Sequence, residues 1–136
     1  MLINFGYCNP AGIPGDNKYL QVARSFIDLY NYNFMSYPDT LQTVYSPRAQ
    51  ITVNDRVYRS FKQLSNQLLY NGVDTVYRTY SKGMVQPVAT DSILISTFGV
   101  LTVNGLNHAH FHESFILKYS PVTRSFFVTN HLLETH

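Results

Sequence analysis

The stretch SILISTFGVLTV (Ser92–Val103), Asn104-Gly105, LNHAHFHESFILKY (Leu106–Tyr119), SPVT (Ser120–Thr123) and RSFFVTNHLL (Arg124–Leu133) decides the fold. It reads as three consecutive strands broken at two turns. Asn-Gly is the strongest short hairpin signal, because both central residues of a type I′ turn need positive φ and these two tolerate it best. The product is an antiparallel meander. Successive side chains alternate across a strand, so Ile93, Ile95, Leu101 and Val103 point one way while Leu94, Phe98 and Val100 point the other. In the last strand Phe126, Val128 and Leu132 are expected to oppose Phe127 and Leu133. An antiparallel sheet with one wet face would alternate apolar with polar residues, so here both faces need a cover.

The chain upstream supplies one cover. Residues 1–18 hold Pro10, Gly12, Pro14 and Gly15 and read as an irregular arm, leaving residues 19–136 as one domain. After the capping pair Asp16-Asn17, Val22, Phe26, Leu29, Tyr30 and Phe34 recur at helical spacing, which predicts an amphipathic helix from Tyr19 to Met35. Pro38 opens a short second helix with Leu41, Val44 and Tyr45 on its buried side, ended by Pro47. Ala49–Val53 and Arg56–Arg59 form a small hairpin around Asn54-Asp55. Ser60-Phe61-Lys62-Gln63 is a capping box that starts a third helix carrying Leu64 and Leu68 and stopping at Asn71-Gly72. Val73–Val85, rich in β-branched and tyrosyl residues, predicts another long strand that ends near Pro87. The fold class is α+β, with three N-terminal helices packed on one side of a curved antiparallel sheet. A second apolar face stays bare, and a bare sheet of roughly several hundred Å² marks a protein interface, so a dimer is expected.

Composition narrows the function classes. The 136 residues include eleven Tyr, nine Phe and no Trp, and the net charge is only +2. Such a chain folds into one domain. Its basic residues are scattered, which argues against a nucleic-acid groove. The single cysteine, Cys8, makes no internal disulfide and no metal-ligand spacing. The start Met1-Leu2-Ile3-Asn4-Phe5 lacks the features of a signal peptide, and Ile93–Val103 is too short and too hydroxylated to span a bilayer. An intracellular soluble protein without membrane contact is the expectation.

Phe111-His112-Glu113-Ser114-Phe115-Ile116-Leu117-Lys118 and Phe127-Val128-Thr129-Asn130-His131-Leu132-Leu133, in this order of elements, resemble the nuclear transport factor 2 family over residues 19–136. The resemblance implies a cone-shaped domain that dimerises sheet to sheet, with itself or with a related domain, and binds Phe-Gly nucleoporins at the nuclear pore. It further implies a non-catalytic adaptor of protein or mRNA export, in nucleus and cytoplasm, without cofactor. Two acidic residues with which the family's Ran carrier grips Ran-GDP fall at Asn104 and Leu106 here. Neither is acidic, so charge-assisted contacts worth about 1.5–3 kcal/mol each are missing and Ran-GDP is disfavoured. Val53 and Asn54 likewise replace an aromatic-acidic pair of the small hairpin.

In the implied dimer, Leu94, Ser96, Phe98, His110, His112, Ser114, Ile116 and Leu132 form the interface. His108, His110 and His112 share a face, a geometry open to metal binding, to simple packing, or to a dimer that weakens as the imidazoles charge. Without an accompanying Cys or carboxylate, packing is the better account. Glu113 lies with Phe111, Phe115 and Leu117 on the face toward the helices. Enzymes of the resembled fold, such as ketosteroid isomerases, use a carboxylate there as general base, so an isomerase or hydratase acting through Glu113 is the alternative function. A homodimeric peptide-binding scaffold outside the pore is a third. Phe26, Tyr30 and Phe34 are candidates for an aromatic peptide groove, with core packing the ordinary alternative.

Overall fold

The computed structural model describes residues 5–7 and 17–136. Its elements in chain order are β1 (Phe5–Tyr7), α1 (Asn17–Phe34), α2 (Pro38–Gln42), β2 (Tyr45–Val53), β3 (Arg56–Tyr58), α3 (Phe61–Tyr70), β4 (Val76–Ala89), β5 (Ser92–Val103), β6 (Asn107–Ser120) and β7 (Ser125–Thr135). The seven described strands make one sheet in the order β1-β4-β5-β6-β7-β2-β3. The sheet is mixed rather than antiparallel throughout, because β1 joins β4 and β2 joins β7 in parallel. The rest is the expected meander.

Local signals act largely as their chemistry dictates. Asn104 and Gly105 both take positive φ, and the Leu106 amide donates to the Val103 carbonyl at 3.2 Å. Val103 pairs with Asn107, so the loop consumes Leu106 as well and β6 starts one residue later than predicted. Ser60 caps α3 by accepting from the Gln63 amide at 3.1 Å, while the Gln63 side chain reaches past the cap to the Arg59 amide. Gly99 is required by close approach: a Cβ there would run into the Thr79 carbonyl of β4.

Four expectations need correction. The arm is not wholly irregular, since Phe5–Tyr7 forms a strand and α1 already includes Asn17; the Asp16 cap lies outside the described residues. The buried stripe of α1 is Ala23, Phe26, Ile27, Tyr30 and Phe34, whereas Leu29 is 40% exposed. Phe26, Tyr30 and Phe34 keep their expected places, Ala23 and Ile27 join them, and Val22 is only partly buried. Pro47 does not end α2; it lies inside β2, which begins at Tyr45, and Pro87 lies within β4. In β7, Val128, His131 and Leu133 turn inward and Leu132 outward, because the pairing with β6 shifts between Ile116 and Leu117. A bulge at Thr129 thus breaks the simple alternation of Phe126, Val128 and Leu132.

The core lies between the three helices and the inner sheet face. Phe26 and Tyr30 meet Phe115 edge-on at centroid distances of 4.8 and 5.0 Å, and Tyr45 stacks on Phe61 at 5.4 Å. Each such side chain contributes roughly 1.5–3 kcal/mol by leaving water. This packing fixes the floor on which the polar residues stand.

Candidate functional site

Beneath α1, the inner face of β4, β6 and β7 carries a closed polar chain. Arg78, Glu113 and His131 point inward from these strands and are 2%, 0% and 1% exposed. Arg78 grips the carboxylate with two bonds, Nε to Oε1 at 2.8 Å and Nη2 to Oε2 at 3.1 Å. His131 Nε2 lies 2.8 Å from Oε2, and its Nδ1 lies 2.9 Å from the Tyr45 hydroxyl. An ionised carboxylate only accepts, so Nε2 donates to it; in the neutral ring Nδ1 then accepts from Tyr45. Thr97 Oγ1 donates to the Glu113 carbonyl at 3.2 Å. Aromatic rings close the walls, with the Arg78 guanidinium 5.0 and 4.6 Å from the Tyr30 and Phe34 centroids and the His131 ring stacked on Phe115 at 4.3 Å.

Electrostatics follow from this geometry. Burial alone would raise the Glu113 carboxyl, but the Arg78 charge, with the His131 bond, outweighs it and holds the carboxyl at about 2. Burial would also lower Arg78, and the adjacent carboxylate more than reverses that, so the guanidinium stays charged. Burial pushes the Tyr30 and Tyr45 phenols up. A general base works best with a pKa near the operating pH and within reach of its substrate. Glu113 has neither property in this state.

Next to the pair is an apolar cavity of about 160 Å³, whose lining includes Tyr30, Phe34, Leu64, Leu68, Arg78 and Leu133. The Tyr30 hydroxyl is buried and has no hydrogen-bond partner among the described residues. No group of three or more His, Cys, Asp or Glu gathers as a metal site among the described residues.

The outer face of the same strands is different. Leu94 pairs with Ile116, Ser96 with Ser114 and Phe98 with His112, and Ser114 pairs in turn with Leu132 of β7. Leu94, Ser96, Phe98, His112 and Ile116 are half-buried, His110 is exposed and Leu132 is 54% exposed. Ser114 is nearly closed off by its neighbours. A polar ladder runs through the patch, from Ser96 Oγ to Ser114 Oγ at 2.9 Å and on to His112 Nε2 at 3.1 Å. His112 stacks flat on Phe98 at 4.3 Å. His108 bonds to Thr102 at 3.0 Å instead, so the three imidazoles share a face without converging.

Of the aromatics considered for peptide binding, Tyr30 and Phe34 are core residues, pinned by Phe115, Phe61 and Arg78. Only Phe26 also borders the open groove of about 660 Å³ that Val22, Leu29, Phe126 and Phe127 help to line. Asn104 is tied to the connection between α3 and β4, its Oδ1 accepting from the Asp74 and Thr75 amides. Sequence reasoning missed Arg78, Tyr45 and His131. The available signal for Arg78 was a charge at an inward phase of β4; for His131 the bulge hid the phase.

No protein-family model matches the chain, and no curated protein matches its sequence. Solved structures do match it. Nuclear transport factor 2 (Ntf2) from Cryptosporidium parvum is 18% identical with a TM-score of 0.77, covering 99% of this chain and 100% of that one. The yeast Ubp3-associated protein Bre5 is 20% identical with a TM-score of 0.74, covering 86% and 96%. A putative dehydratase from Streptomyces avermitilis is 11% identical with a TM-score of 0.66, covering 89% and 96%. The chain therefore has the nuclear-transport-factor-2-like fold, an α+β fold shared by transport factors and bacterial dehydratase-like proteins.

Proposed function

We propose that this chain is a non-catalytic adaptor of nucleocytoplasmic transport that dimerises through the outer face of its sheet and binds Phe-Gly nucleoporins. The observation that carries the reading is that face: Leu94, Phe98, Ile116 and Leu132 have no covering element among the described residues, although inner-face residues of the same strands, Ile93, Ile95 and Phe115, lie in the buried core. An exposed apolar patch rimmed by hydroxyl and imidazole groups suits a reversible protein interface. The commitment of Glu113 to Arg78 supports a non-catalytic role, since the one carboxylate placed for chemistry is neutralised and inaccessible.

Sedimentation of the purified chain tests dimerisation, and capture of Phe-Gly nucleoporin fragments tests the transport role. A monomer at tens of micromolar that also fails to pair with a related domain overturns the reading. Two observations keep alternatives in view. The cavity beside Arg78 and the unpartnered Tyr30 hydroxyl favour a small-molecule isomerase or hydratase, which predicts turnover that Glu113→Gln abolishes. Bre5, a Ubp3-associated protein of similar fold, bears on the second alternative, a homodimeric peptide-binding scaffold outside the pore, which predicts dimerisation without Phe-Gly capture.

A further inference from the structure

The sheet has two ends, and they are finished differently. On one, β3 closes the hairpin from β2. On the other, β4 runs from Val76 to Ala89, and among the described residues only Phe5–Tyr7 pairs with its outer edge. That pairing occupies Gly83, Met84 and Val85, and no other described residue pairs with that edge. An unpaired edge presents a row of amide and carbonyl groups ready to take a further strand.

The edge is also delimited. The ladder to β5 shifts between Tyr80 and Lys82, so a bulge at Ser81 bends the strand on one side. On the other side Pro87 has no amide to donate. Between them Lys82–Gln86 is a regular segment about as long as a short peptide strand. The segment that fills it has the sequence Phe5-Gly6-Tyr7, with Phe5 opposite Gly83 and Gly6 opposite Met84. A strand of three residues gains little by itself, so it is exchangeable. Strand addition takes affinity from main-chain bonds and specificity from alternate side chains, and the residue set opposite Gly83 is Phe5.

We propose that the β4 edge from Lys82 to Gln86 is a strand-addition site for extended Phe-Gly peptides, which the chain's own Phe5-Gly6-Tyr7 occupies and a free peptide takes by displacing it. The proposal rests on the Phe-Gly reading above and gives it a site and a built-in competitor. The arm lowers apparent affinity by the fraction of time that it holds the edge. Single Phe-Gly motifs then bind weakly, and a multivalent ligand outcompetes the arm through effective concentration.

The test uses the full chain and a fluorescein-labelled, serine-rich peptide with one central Phe-Gly, alongside the same peptide with Phe replaced by Ser. Successive amides alternate sides along a strand, so the double variant Gly6→Pro/Tyr7→Pro must remove a ladder donor whichever residue supplies it. The variant is expected to bind the Phe-Gly peptide about threefold to tenfold more tightly than the parent. Amide hydrogen exchange at Lys82–Gln86 is expected to quicken in the variant and slow again when peptide is added. Equal affinity in parent and variant, or peptide protection confined to the groove beside Phe26 and Phe127, overturns the edge site while leaving the Phe-Gly reading intact. No preference for Phe-Gly over the Ser control in either protein overturns both.

Discussion

The two faces of β5 and β6 are built from alternate residues of the same strands, yet they solve opposite problems. Inward, Thr97, Glu113 and Phe115 meet helices and neighbours that satisfy every charge, and the carboxylate is spent on Arg78 and His131. Outward, Ser96, Ser114 and His112 bond one another laterally, while Ile116 is half-buried and Leu132 exposed. The lesson is that the most chemically suggestive residue of this chain is its most immobilised one, while the surface available to partners is made of ordinary residues.

The sharpest way to break this contrast is to open the inner pair. Glu113→Ala leaves the Arg78 guanidinium buried and uncompensated, and removing one member of such a pair costs about 3–5 kcal/mol. Urea unfolding should show that loss. A change within ~0.5 kcal/mol would mean that water reaches the pair and that the inner face is not closed.

Acid should act on the same pair. The Glu113 carboxyl is depressed from its ordinary 4.5 to about 2, so its contribution is present above the higher value and is lost as pH falls through the lower one. Stability is expected to decline by a few kcal/mol across that window. Glu113→Gln should flatten the decline, and an unchanged slope would place the acid sensitivity elsewhere.

The outer face is broken by Ile116→Glu, which sets a charge at the centre of the patch. The expected outcome is loss of dimer by at least ~30-fold in dissociation constant, about 2 kcal/mol, with the monomer's melting temperature nearly unchanged. If the variant unfolds instead, the outer residue serves the core and the contrast between faces fails. Smaller still is Tyr45→Phe, which removes the outermost bond of the inner chain at His131 Nδ1 and should cost about 1 kcal/mol with dimerisation intact.

Much of this architecture was legible in the chain. Asn104-Gly105, the Ser60 cap and the two-faced alternation of Ser92–Val103 are local signals, each acting over a few residues, and each places its element within a residue or two. The outer-face residues follow from parity once β5 and β6 are paired. Parity failed where the ladder slips: the bulge at Thr129 turns His131 inward, and no local rule announces it. Pro47 and Pro87 misled because proline is tolerated wherever its missing amide would have faced no partner, a fact that depends on which strand lies alongside.

The partners of Glu113 show where sequence reading ends. Its position on the helix-facing side of a strand was fixed by alternation, but Arg78 is 35 residues away and Tyr45, which bonds His131, is 86 residues from that ring. Nothing in the spacing of those residues selects one another; only the assembly of β2, β4, β6 and β7 into one sheet brings them within hydrogen-bond distance. Local propensity and periodicity determined which elements form and which faces are greasy. The long-range pairing of strands decided that the carboxylate is locked rather than poised, because charge in a dry interior is governed by its nearest neighbours, and neighbours are a property of the tertiary structure.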